Sequence, residues 1–484
     1  MKNYFSYFFK LLFFSVLLYL LIFCMLSVLY KLPNGRVRLH LRESASVFEE
    51  EGLYPQLMDN NNSQLDNWTD SVMLMTAGYS NNESVFVQAV KNIYPKTRDY
   101  DPVATYTSIY SVESDSANTS KHTSESDTTN TNKHSSESDT TNTSKHSSES
   151  DSKSDIAINE HTYLRYWNGY LLWLKPLLAF FNYRQIRAIL AAVQFILFIG
   201  VILLLKDRCS RLIFPLAVTY LYFNPVATMI SMQFSSAIDI TFLALIIMLW
   251  KFELLEEKRL FPAFFWMIGL ITNVFDFFTY PLITLGIPLV TYLGIICSKP
   301  SLCNRENVTL RKIDENRSAV TRLITFPEIR SIAQLSAFWF LGYGLTWASK
   351  WTLGTLVSGQ NVFREAGGQV FFRMSDTYET TKITCASVFA ENFKAGWNPI
   401  IFVILLIYTF IYLYHLVKCN GVCNKNALWI LLIAVYPVIW EIVIKNHEYV
   451  HFWFTFRILG ISLFSIFSFM MLTDSKSESP KKET

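Results

Sequence analysis

The residues best suited to chemistry are carboxylates, histidines and cations at the margins of apolar runs. The first group is Leu65-Asp-Asn-Trp-Thr-Asp-Ser71. Asp66 and Asp70 are four apart, so on a helix they share one face. A carboxylate held near a membrane surface can take a proton from an acceptor hydroxyl, which makes both candidate catalytic bases. The same letters also describe a helix start capped by Asp66 or Asn67. A second group, His161 to Tyr170, places His161 and Arg165 among Tyr and Trp side chains. Such rings suit the lipid headgroup level, and they also suit the face of a sugar. Asp239 follows Ser235-Ser-Ala-Ile, and Asp276 sits in Thr272-Asn-Val-Phe-Asp-Phe-Phe-Thr-Tyr-Pro281. The last group runs from Lys445 to Arg457 and contains His447 and His451. Arg457 lies inside an apolar run, where a cation needs a partner. A lipid phosphate would serve, and so would an ion pair with Asp239 or Asp276. His447 and His451 have the i, i+4 spacing of two metal ligands, but no third ligand is evident, so phosphate or hydroxyl contacts are the expected role. Lys350, Arg364 and Arg373 add positive charge on the same side.

The elements that must position these groups are apolar helices. Of 484 residues, 51% are hydrophobic, 16% aromatic and only 17% charged. An average globular protein carries about 25% charged residues. Phe-rich runs of roughly 20 residues recur along the chain, each long enough to cross a bilayer of about 30 Å. A soluble enzyme, a disordered chain and a disulfide-stapled secreted domain are excluded by that pattern. A net charge of +3 gives no case for nucleic-acid binding. The seven cysteines are odd in number and scattered, and Cys419 and Cys423 lack the companions of a zinc site.

The runs are Leu11 to Tyr30, Ile186 to Leu205, Leu212 to Ile230, Ile238 to Trp250, Phe261 to Phe275, Leu282 to Cys297, Ile332 to Leu353, Pro399 to Val417, Leu428 to Ile444 and Phe452 to Leu472. They predict an all-α polytopic membrane protein with about ten transmembrane helices and a long first extracytoplasmic loop. No small-x-small cleavage site follows the first run, so it reads as a retained anchor. With the first residues inside, the inner connections become Lys206 to Arg211, Lys251 to Arg259, Lys299 to Arg330, Lys418 to Lys425 and the tail with Lys476, Lys481 and Lys482. All are basic, which is the positive-inside pattern of a multi-pass cell-membrane protein. Lys31, Arg36, Arg38 and Arg42 disagree, but five later loops outvote them. If Tyr170 to Phe181 also spans, the count becomes eleven and the orientation flips.

This divides the chain into six parts. Residues 1–30 hold a cytoplasmic start and the first span. Residues 31–111 form the folded part of the outer loop. Residues 112–155 repeat Ser-Glu-Ser-Asp-x-x-Asn-Thr-x-Lys-His with a period of twelve, a composition that builds no core and reads as a disordered spacer. Residues 156–185 read as one or two interfacial amphipathic helices. Residues 186–472 form the bundle, and 473–484 a cytoplasmic tail. One side of the membrane thus collects carboxylates, His, cations and aromatics. A transporter should instead show polar breaks at mid-depth in repeated segments, and no internal repeat is evident.

This layout resembles the GT-C class of integral-membrane glycosyltransferases that build bacterial surface polysaccharides: a cytoplasmic start, one span, a long outer loop with acidic residues and amphipathic helices, then a polytopic bundle. His161 to Arg187 and Asn446 to Arg457 also look similar to Gram-positive membrane proteins of this kind. The resemblance implies a sugar moved from a polyprenyl-phosphate donor to a glycan or lipid-linked acceptor on the outer face. It places the base at Asp66 or Asp70, and gives Asp239 a part in holding substrate or a divalent metal. It also gives His161, Arg165, Asp276, Lys445, His447, His451 and Arg457 contacts to substrate or phosphate, with membrane lipids around the site. The acidic pair comes later after the first span than is usual in the class, and a repeat interrupts the loop. A Wzy-like polymerase would bring paired Arg-rich outer loops, of which Arg364 and Arg373 are the only candidates. A transporter or flippase for lipid-linked glycans is the non-enzymatic alternative.

Overall fold

The computed structural model describes residues 2–96, 101–111, 159–298, 326–418 and 425–473. The Lys-His repeat, most of the basic stretch after Lys299, the Cys419–Cys423 pair and the tail lie outside the described residues. What is described is almost wholly helical, with two short antiparallel ribbons. The chain is an α-helical membrane protein.

Helix α1 (Lys2–Leu29) is a run of Phe and Leu with exposed apolar flanks, Phe13 being 67% exposed. Such flanks are stable only against lipid or another apolar surface. A loop domain follows, made of α2 (Gly35–Glu43), α3 (Ala45–Glu51), α4 (Asn67–Gly78), α5 (Val85–Lys91), strand β1 (Ile93–Lys96) and α6 (Pro102–Ser111). Strand β2 (Asn159–Thr162) pairs with β1, setting His161 opposite Tyr94. The stretch expected to be one or two amphipathic helices is therefore a strand, a turn and one short helix, α7 (Leu171–Leu178). The ladder with Ile93–Lys96 overrides the local pattern, since β pairing depends on a distant partner. Leu26 of α1, Leu41, Leu74 and Tyr106 of the loop domain, and Leu174 of α7 share one core.

The bundle begins with α8 (Tyr183–Cys209), started by a capping box in which Asn182 and Gln185 satisfy each other's backbone N–H. Then come α9 (Ile213–Tyr222), α10 (Pro225–Ile230), α11 (Met232–Trp250), α12 (Phe252–Glu257), α13 (Phe261–Phe275), α14 (Ile283–Ser298) and α15 (Pro327–Ser358). Helix α16 (Val362–Met374), the β3–β4 ribbon (Thr377–Tyr378 with Thr381–Lys382) and α17 (Cys385–Ala395) form a second connection beside the loop domain's side. Helix α18 (Pro399–Lys418), a 3-10 stretch (Lys425–Val435), α19 (Tyr436–Val443), α20 (Lys445–Val450), α21 (Phe452–Thr455), a 3-10 turn (Phe456–Leu459) and α22 (Gly460–Thr473) complete the described residues. Phe234, Leu245, Phe265, Leu285, Trp339 and Ile461 lie in the bundle's core.

Six segments are long and apolar enough to cross a membrane: Ser6–Leu29, Tyr183–Tyr222, Met232–Trp250, Pro399–Lys418, Asn426–Val443 and Phe452–Thr473. Phe261–Phe275 and Ile283–Ser298 are shorter apolar helices. The expected count of about ten is not reached by these measures, for three local reasons. Tyr183–Tyr222 counts as one apolar segment, although the extended Cys209 and a 3-10 turn at Ser210–Leu212 divide it into α8 and α9, the places of two expected spans. The third expected span stops at Asn224, which is left-handed with φ 56°, and restarts at Pro225, a residue that can open a helix but not continue one. Helix α15 is 32 residues long, but Ser, Gly, Trp, Tyr and Lys dilute its hydrophobicity. Those small residues have a packing role. Gly269 of α13 rests on the Trp339 carbonyl, and Gly342 of α15 on the Trp266 carbonyl, so a methyl group at either would overlap backbone. Small residues at such a crossing let two membrane helices approach closely.

Candidate functional site

The acidic motif is the first structured element of the site. Asp66 is the cap of α4, and its carboxylate accepts from the Thr69 backbone N–H and hydroxyl, both at 3.0 Å. Burial pushes its pKa up to about 7. Asp70, one turn later, is 1% exposed. It accepts from the Tyr183 hydroxyl at 2.6 Å and from the backbone N–H groups of Met232 and Gln233, each at 3.2 Å. Those last two open α11, so Asp70 sits on a helix N-terminus, where the unpaired N–H groups favour an anion. Burial still raises its pKa, to about 6. Three residues not singled out from sequence, Glu51, Tyr183 and Arg187, support it together with Asn67. Arg187 donates to Tyr183 at 2.8 Å and to Asn67 at 3.0 Å, and it pairs bidentately with Glu51 at 2.6 and 3.0 Å. Arg187 was visible as a cation at the second position of an apolar run. Its partners Glu51 and Asn67 lie more than a hundred residues away and were not.

Arg457 meets this motif from the far side of the bundle. It lies on the 3-10 turn that breaks the last span. Neither Asp239 nor Asp276 pairs with it. Its guanidinium donates to the carbonyls of Phe223 at 2.8 Å, Asn62 at 3.1 Å, Trp453 at 3.3 Å and Phe454 at 3.4 Å. The Phe234 and Phe456 rings lie 4.7 Å from it, in cation–π range. Asn62, in the turn before Asp66, also accepts from the Asn224 amide at 2.8 Å. Arg457 and the acidic motif are thus brought together, but as a buried joint. Neither lines any of the cavities described below.

A cavity of about 310 Å³ lies between α15, α16 and α19. Its walls are Tyr166, Phe278, Tyr343, Trp347, Trp351 and Trp440, and two cations, Arg165 and Arg373, face it. Arg165 lies 3.8 Å from Glu365, and Arg373 stands over the Phe278 ring at 4.9 Å. Phe278 has a left-handed backbone, φ 66°, a strained conformation for a bulky residue. Its carbonyl is held by His447 Nε2 at 3.1 Å. His447 and His451 meet edge to face, 4.9 Å between ring centres. Burial, with the Arg373 charge next, holds His447 well below its usual range and His451 at about 3, so both are neutral. Among the described residues no group of three or more His, Cys, Asp or Glu has metal-binding geometry. Asp276 ends α13, two residues before Phe278. One of its oxygens accepts from the Thr279 N–H at 3.0 Å and the other is buried with no partner among the described residues.

The remaining expected residues lie apart. His161 packs edge-on to Tyr94 at 5.2 Å, half-buried, and burial lowers its pKa. Lys445 is half-buried at the start of α20. Asp239 lines a second, apolar cavity of about 320 Å³ under α7. Sequence reasoning passed over Glu441, fully buried with neither carboxylate oxygen partnered among the described residues. Its signal was a lone carboxylate in an apolar run. The cavity-lining aromatics carried no such signal, because Trp and Tyr are frequent throughout. No family model, no curated protein and no solved structure matches this chain.

Proposed function

We propose that the protein is an integral-membrane glycosyltransferase of GT-C type. It moves a sugar from a polyprenyl-phosphate donor to a surface glycan or lipid-linked acceptor on the outer face of the cell membrane. In this reading the shorter apolar helices and α15 also span, giving ten to eleven crossings with the loop domain outside. The observation that supports it is the aromatic cavity with Arg165 and Arg373. Two guanidiniums fit a phosphate by paired N–H donors, and aromatic walls fit a sugar face or a prenyl chain.

The reaction is one displacement. The acceptor oxygen bonds to the anomeric carbon as the bond from that carbon to the phosphate oxygen breaks. The electron pair leaves with the phosphate, which Arg165 and Arg373 stabilise. The acceptor proton passes to a carboxylate. Asp276 is the best placed, because one of its oxygens is unpartnered among the described residues and it lies two residues before Phe278 of the cavity wall. Asp66 and Asp70 remain in the proposal as alternative bases, although their oxygens are engaged by Thr69, Tyr183 and the start of α11. The test is surface-glycan composition in cells carrying Arg165→Ala with Arg373→Ala, and singly Asp276→Asn, Asp66→Asn and Asp70→Asn. Loss of one sugar component in the double Arg variant is expected, with at least a hundredfold drop in transfer for the base. An unchanged glycan in the double Arg variant would sink the reading.

A further inference from the structure

The cavity that holds Asp239 has the opposite character to the arginine cavity. It lies between α8, α11 and α13 and is roofed by Trp173 and Leu177 of α7. Its volume, about 320 Å³, is at the small end of ligand pockets. Val193, Leu243 and Ile271 on its rim are exposed apolar side chains, so it opens sideways into lipid. No Lys, Arg or His lines it. Asp239 is the one carboxylate in it. One of its oxygens accepts from the Gln194 amide at 3.2 Å. Gln194 is held by Tyr220 and Thr228, each donating to its carbonyl oxygen at 3.0 Å. The second Asp239 oxygen makes no hydrogen bond among the described residues.

We propose that this cavity binds a lipid whose head donates a hydrogen bond and carries no negative charge, with its chain in the apolar slot and its head on the free Asp239 oxygen. A carboxylate at membrane depth with no counter-charge calls for a donor. A phosphate or fatty-acid head would meet Asp239 with no cation to offset the repulsion. The fixed Gln194 amide leaves one oxygen for the ligand, which suits a single hydroxyl or ammonium. This site does not rest on sugar transfer.

The experiment uses the full chain in phosphatidylcholine nanodiscs with diazirine-bearing probes of one chain length: a fatty alcohol, a fatty amine and a fatty acid. The alcohol is expected to label peptides from 189–197 and 235–243. Val193→Trp, a change at the exposed rim, should abolish that labelling. Asp239→Leu should lower it about tenfold, the equivalent of one hydrogen bond to a charged group. Labelling by the amine in place of the alcohol would keep the site and identify its head as cationic. Equal labelling by the fatty acid, or alcohol labelling undiminished in Val193→Trp, would overturn it. Arg165→Ala with Arg373→Ala should leave the labelling intact, so failure here is separable from failure of the transferase reading.

Discussion

At the scale of single residues, the molecule repeatedly buries charge and satisfies it with backbone. Asp66 and Asp70 are the clearest cases, and both carry raised pKa values caused by burial. A carboxylate whose pKa is raised on folding binds protons more tightly in the folded state. Its contribution is fully present below the unfolded value near 4 and is lost as pH rises through the folded value. For Asp66 that window runs from about 4 to about 7. Asp66→Asn keeps a capping oxygen but cannot ionise. The stability of the variant relative to the unaltered chain should therefore rise between pH 4 and pH 7 and level off above. Thermal midpoints measured by tryptophan fluorescence at pH 4, 5, 6, 7 and 8 would show it, and a constant difference would refute it. The capping geometry of Asp66 was legible from its position before Asn-Trp-Thr. The partners of Asp70 were not, because Met232 lies 162 residues away and offers a backbone N–H that no letter announces. The same holds for Arg457. The sequence predicts that it needs a partner and suggests an anion, whereas four carbonyls supply the contacts.

At the scale of elements, hydrophobicity and packing diverge. Apolar runs marked α1, α11, α18 and α22 plainly, since composition alone identifies a helix with lipid on its flanks. Breaks inside runs were harder to see. Asn224-Pro225 ends one helix and starts another, and Arg457 sits where the last span tightens into a 3-10 turn. Helix α15 was legible as a helix, yet its Gly342 serves the close crossing with α13 and not contact with lipid. Gly269→Val should separate these two helices. Overpacking of this kind costs about 1–3 kcal/mol in a well-packed core. The expected result is a thermal midpoint lower by several degrees in detergent, with Gly344→Ala, where a methyl meets nothing within 4 Å, leaving it unchanged. Equal midpoints for the two variants would disprove the close crossing.

At the scale of the whole molecule, the loop domain and the bundle are one packed object. Core residues of α1, α4, α6 and α7 interdigitate with Ile186 and Leu270 of the bundle. The twelve-residue repeat lies outside the described residues, and its composition suits a spacer. A chain lacking residues 112–155 is expected to fold, insert and keep its thermal midpoint within about two degrees. Loss of expression would show that the repeat has a structural role. The aromatic cavity was not legible at this scale. Its walls come from Tyr166, Phe278, Trp347 and Trp440, which are separated by up to hundreds of residues and are common residue types here. Only Arg165 and Arg373 marked the place: Arg165 was read as a substrate or phosphate contact, and Arg373 as added positive charge on the same side.

The carbonyl cage of Arg457 also bears on biogenesis. The Asn62 carbonyl that closes it lies 395 residues earlier in the chain. A bare arginine at the centre of a bilayer helix costs about 3 kcal/mol to insert. The last span therefore enters the membrane at a disadvantage unless the first loop has already reached its native shape and presents that oxygen. Contacts of such long sequence separation form late in folding. Errors in the first loop would thus be exposed at the last step of synthesis, as an uncovered guanidinium within reach of membrane quality control.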